Sequence, residues 1–181
     1  MSEVGTREQE LRDFIVEPVR NDEYRVDLAN YFQLIASLDA VGDTDTALDA
    51  FLEKQERENY GEWYLATYGV MQALVIQQDA VSRIAITLNL PYTPDAKLTE
   101  IRRLRNDAVG HPTARGAEPG SSFTAIARIS LSQDGFYMLR TRRSPFENQT
   151  EQIDLPDLIR SQQSLLAASL SQILIQLRER G

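Results

Sequence analysis

Asp95-Ala96-Lys97-Leu98-Thr99-Glu100-Ile101-Arg102-Arg103-Leu104-Arg105-Asn106-Asp107-Ala108-Val109-Gly110-His111-Pro112 reads as an amphipathic helix with its stop signal attached. Leu98, Ile101 and Leu104 recur at helical spacing, while Arg102, Arg103 and Arg105 spread over the accessible side. Gly110 suits a left-handed position just past a helix end, and Pro112 discourages continuation, so the helix is expected to cover 95–109.

Most of the chain follows the same pattern. A first acidic helix is expected over 7–19, with Leu11, Phe14, Ile15 and Val19 on one side. Asn21 or Asp22 can cap a second, carrying Leu28, Tyr31, Phe32, Ile35 and Leu38 and ended by Gly42. Thr44 starts a third, with Leu48, Phe51 and Leu52 inward. Gly61 separates it from a long helix over 62–88, where Leu74, Val81, Ile84 and Leu88 form an apolar stripe and Gln72, Asp79 and Arg83 a polar one. The last helix is expected over 156–180.

Between the last two helices the period changes. A loop over 113–122 leads to two alternating stretches, 123–132 and 136–142, joined by Asp134-Gly135 as a type I′ turn. A polar connector then reaches Asp154. The expected fold is mainly α: one helical domain over 1–181, with acidic N-terminal helices over 7–60 and an inserted β-hairpin over 123–142. A lone hairpin is marginal, so this one must pack on the helices or on a partner.

Composition narrows the function. The net charge of −8 argues against broad coating of nucleic acid. Yet the charge is uneven: residues 1–60 hold 6 basic and 15 acidic side chains, residues 95–143 hold 9 basic and 5 acidic. The basic window can bind a short polyanion. There is no cysteine, hence no disulfide or thiol chemistry, which fits a reducing compartment. No stretch reads as a signal peptide or a membrane span, so a cytoplasmic protein without membrane attachment is expected.

Histidine occurs once, at His111. A histidine moves protons near neutral pH, and an arginine grips phosphate with parallel hydrogen bonds. On an unbroken helix, Arg105 and His111 would lie about 120° apart with a rise of about 9 Å. A helix end at Val109 lets the imidazole fold back toward Arg105 instead. Asn106 and Arg102 lie four apart, as do Asp107 and Arg103, so each pair can interact across one turn. Asp107 can alternatively orient the imidazole.

Arg105, Asn106 and His111, at the end of a helix that follows a long glutamine-bearing one, resemble the Arg-x(4–6)-His signature of the HEPN superfamily of all-helical domains. The tight match covers about ten residues. The resemblance implies a dimeric ribonuclease in which two such motifs face one cleft and cleave RNA without metal or cofactor, leaving a cyclic phosphate and a free 5′-hydroxyl. Arg105, His111 and Asn106 would be the catalytic group, with Asp107 and Arg102 in support. Members with toxin or defence roles imply an antitoxin or regulatory protein as a further partner. The chemistry is consistent with this. Attack by the RNA's own 2′-hydroxyl needs one proton removed and one delivered, and one histidine per chain supplies both only if two chains share a site. Some toxin members carry a modifiable tyrosine two positions after the histidine; Thr113 stands there instead. Arg103, Arg140 and Arg142 are candidates for RNA contact, although arginines on an exposed strand also serve as edge protection.

Other constellations are weaker. Asp43, Asp45 and Asp49 faintly suggest a calcium loop, without its central glycine and final glutamate. One histidine and no cysteine leave little for zinc. Tyr60, Trp63, Tyr64 and Tyr68 at helical spacing read as core before base-stacking surface. The reading from a different class is a non-catalytic helical binding or assembly module, built on the acidic N-terminal helices, the apolar face of the last helix and the hairpin.

Overall fold

The computed structural model describes residues 2–16, 27–53, 57, 59–110, 122–142 and 145–180. The protein is mainly α-helical with a small antiparallel sheet inserted before the last helix. In chain order the elements are α1 (Glu3–Val16), α2 (Leu28–Leu52), α3 (Tyr60–Thr87), α4 (Ala96–Arg105), a π-turn (Asn106–Gly110), β1 (Ser122–Ile126), β2 (Gly135–Arg142), β3 (Glu147–Asp154) and α5 (Leu155–Arg180).

Local signals set most helix starts. Asp27 caps α2 by accepting from the amides of Ala29 and Asn30, Asn59 caps α3 through Glu62 N, and Asp95 caps α4 through Lys97 N. Asn21 and Asp22 lie outside the described residues. Gly42 does not end a helix: α2 runs through it without a break. The glycine lies against α1, where a Cβ would come within 3.8 Å of Glu8 Oε2, and this packing overrides its poor helix propensity. Thr44 likewise is no cap; its hydroxyl donates back to Ala40 O and Val41 O. Gly61 sits inside the first turn of α3.

Two apolar clusters share the length of the bundle. One joins α1, the first part of α2, the second half of α3 and the second half of α5 through Leu11, Leu38, Val81, Ile84, Leu170 and Leu174. The other lies where the sheet meets the helices and holds Leu48, Met71, Ile101, Ala108, Met138 and Ile159. A buried amide set bridges α3 and α5: Gln162 Nε2 donates to Leu74 O and Gln77 Oε1, and Gln78 Nε2 to Gln162 Oε1.

The sheet departs from the simple hairpin in three ways. It has a third strand: the polar stretch over 147–154 pairs along its whole length with β2, from Arg142 opposite Glu147 to Gly135 opposite Asp154. Its sequence lacks apolar alternation because six successive residues are exposed and only Ile153 reaches the core. The first strand is short; after Ile126 the chain forms a 3₁₀ turn at Arg128–Ser130. The tight connection is Gln133-Asp134, between the mutually bonded Ser132 and Gly135. A type I′ turn needs positive φ at both central residues, and Asn89 is the only non-glycine with positive φ among the described residues. Gln133 ties this loop to the helices by donating to Phe51 O and accepting from Arg57 Nη1. No helix among the described residues is long and apolar enough to cross a membrane.

Candidate functional site

The motif begins at the last residue of α4. Burial of Leu98 and Ile101 orients this helix, and its last turn carries Arg102, Arg103 and Arg105, cations that suit the negative end of the helix dipole. Arg102 Nη2 meets Asp79 Oδ1 on α3 at 2.6 Å. Arg105 is half-buried against the same helix: Nη2 donates to Gln72 Oε1 and Nη1 to Asn106 Oδ1 at 2.9 Å. Its Nε is buried and makes no hydrogen bond among the described residues. The polar stripe of α3 thus receives the arginines, through Gln72 and Asp79. Asn106 bonds Arg105 rather than spanning a turn to Arg102.

The helix does not close with a single left-handed residue at its end. It widens into a π-turn, Asn106–Gly110, a geometry frequent at functional sites. Inside it Asp107 is 1% exposed and Ala108 2%, packed in the second cluster. Asp107 Oδ2 accepts from Arg140 Nη1 at 2.7 Å, and the Asp107 carbonyl accepts from the Thr124 hydroxyl. Arg140 Nη2 also faces Glu151 Oε2 at 3.7 Å. Helical spacing offers Asp107 the neighbour Arg103, one turn away; the structure pairs it with Arg140, 33 residues downstream. Nothing in the sequence of Ser122–Ile126 distinguishes Thr124 as part of a motif.

Arg103 is exposed and borders a cavity of about 200 Å³ with Lys97, Asp107, Arg140, Glu151 and Asp157. Arg142 is exposed at the end of β2, opposite Ser122 on one side and Glu147 on the other. His111, Pro112, Thr113 and Arg143 lie outside the described residues. The site is therefore described from Arg105 to Gly110 and from the sheet that touches it. Asp45 and Asp49 engage Gln163 Nε2 at 3.3 and 3.0 Å, joining α2 to α5. Of the aromatic series, Trp63 and Tyr64 pack against the second cluster, whereas Tyr60 and Tyr68 are exposed; Arg57 stacks over Trp63 at 4.6 Å.

In comparisons with protein-family models, curated proteins and solved structures, nothing matches this chain.

Proposed function

We propose that this protein is a metal-independent endoribonuclease of the HEPN type, working as a homodimer through Arg105, Asn106 and His111. The observation that carries the reading is the state of Arg105. Two amide oxygens, from Gln72 and Asn106, hold its guanidinium, and no carboxylate pairs with it among the described residues. An arginine placed for structure alone is commonly paired with a carboxylate. One oriented by neutral amides keeps its charge for an anion.

In the proposed reaction an imidazole removes the proton of a ribose 2′-hydroxyl. The 2′-oxygen attacks the adjacent phosphorus, and the bond to the 5′-oxygen breaks as that oxygen takes a proton. His111 of one chain and His111 of its partner divide the two transfers. Arg105 braces the non-bridging oxygens as charge builds on them. The products are a 2′,3′-cyclic phosphate and a 5′-hydroxyl. Analysis of product ends tests this: an RNA with one 2′-deoxy position is expected to be cut everywhere except at that position. Cleavage there rules the reaction out.

A specific observation favours the other reading, a binding module. Leu65, Tyr68, Ile76 and Ile86 are exposed along α3, with Leu28 and Phe32 exposed on α2. Such a surface suits a protein partner. Partner binding that survives His111→Ala, with RNA untouched by the wild type, selects it.

A further inference from the structure

The inserted sheet sits against the very turn that follows Arg105. We infer that the sheet is a positioning device for this motif, with Thr124 and Arg140 as the positioning residues that act through Asp107. The kinetic part of this inference rests on the ribonuclease reading; the structural part does not.

Three observations carry it. First, Thr124 and Arg140 are directly opposite in the β1–β2 register, so both side chains leave one face of the sheet together. Both end on Asp107, one at its carbonyl and one at its carboxylate. Second, Thr124 is itself buried, and its hydroxyl donates to the Asp107 carbonyl within the π-turn. Third, the carboxylate of Asp107 is removed from water and pairs with Arg140 at 2.7 Å. Ala108, the next residue, is packed in the same cluster as Met138 and Ile153 of the sheet.

The two halves of the motif are thereby held by different elements. Gln72 of α3 fixes Arg105, and the sheet fixes the turn from which the chain continues to His111. Arg140 turns Nη1 to Asp107 and Nη2 toward Glu151, an arrangement that suits positioning.

The lone histidine makes this directly measurable, because labelled protein gives one set of imidazole resonances. In the full-length chain, Arg140→Leu and Thr124→Val are each expected to shift the His111 ring signals and displace their pH titration. Arg140→Lys is expected to return them toward wild type. Thr150→Val, on the opposite face of the sheet, is expected to leave them unchanged. Where Arg140→Leu fails to fold, Thr124→Val carries the test, since it exchanges one hydroxyl for a methyl. Unchanged His111 signals in folded Thr124→Val and Arg140→Leu overturn the inference. On an RNA that the wild type cuts, both variants are expected to lose on the order of tenfold in kcat with KM unchanged. A raised KM with kcat intact instead assigns Arg140 to RNA binding and also overturns it. If the wild type cuts no RNA, the ribonuclease reading fails, and the His111 signals still decide the role of the sheet.

Discussion

Thr124 and Arg140 face each other across the β1–β2 ladder, and both reach Asp107, one residue beyond Asn106. Through this relationship the inserted sheet bears directly on the turn that follows Arg105. The sheet places two side chains on the end of α4 that helix neighbours one turn away do not provide. The Asp107–Arg140 pair is unequally buried, with the Asp107 side chain 2% exposed and that of Arg140 32%.

Removing Arg140 is therefore expected to cost more than removing the charge of Asp107. Arg140→Leu removes a cation that pairs with a buried carboxylate and is expected to cost about 2 kcal/mol, below the 3–5 kcal/mol typical of a fully buried pair. Adding Asp107→Asn to Arg140→Leu is expected to recover part of that loss. Urea denaturation of the two single variants and the double variant measures the coupling. A double variant as unstable as the sum of the singles shows no interaction.

Gln72 is predicted to matter for activity without touching RNA. Gln72→Leu deprives the Arg105 guanidinium of an acceptor, and cleavage is expected to fall on the order of tenfold. Arg105→Lys is expected to behave nearly as badly as Arg105→Ala, because a lysine cannot meet Gln72 and Asn106 with two separate nitrogens. Initial rates on one RNA, with binding measured in parallel, separate lost chemistry from lost affinity.

Glu8 gives a pH signature. Burial raises its pKa, and the hydrogen bond and charge of Arg12 oppose that shift without cancelling it. A raised carboxyl favours the protonated form in the folded state. That contribution is complete below the ordinary glutamate value of about 4.3 and is lost as pH rises through the folded value. Glu8→Gln stays neutral and keeps an acceptor for Arg12. Its melting temperature relative to wild type is expected to increase as the pH goes from 4 to 7. A difference that is constant or falls over that range contradicts the assignment.

Gly135 is the position where the sheet tolerates no side chain. Its φ is +137°, and a Cβ there would lie 1.8 Å from Ile153 O and 2.9 Å from Ile153 C, both backbone atoms. Gly135→Ala is expected to destabilise the protein by at least about 2 kcal/mol. It is also expected to disturb Asp107 through β2. Thermal unfolding together with the His111 resonances reads both effects.

Much of this architecture is legible in the chain, for definable reasons. The stripe Leu74, Val81, Ile84 and Leu88 on α3 is buried as its spacing indicates, because the helix is long and strongly periodic. The Gly-His-Pro sequence suggests an α-helix to 109, whereas α4 closes at Arg105 and passes into the π-turn over Asn106–Gly110. Gly42 misleads because its role is set by α1, far away in sequence. The third strand is invisible because Glu147–Asp154 carries no alternating apolar pattern; pairing with β2 creates it. Within the site, Arg105 and Asn106 stand out as sequence neighbours of a lone histidine. Thr124 and Arg140 do not, since their tie to Asp107 exists only once β1 and β2 are paired.

The central claim is tested most directly by the cleavage rate of a single-stranded RNA in excess EDTA, measured for wild type beside Arg105→Ala and His111→Ala. The account predicts cleavage by the wild type and a loss of at least about a hundredfold in each variant. No cleavage by the wild type, or equal cleavage by all three proteins, contradicts it.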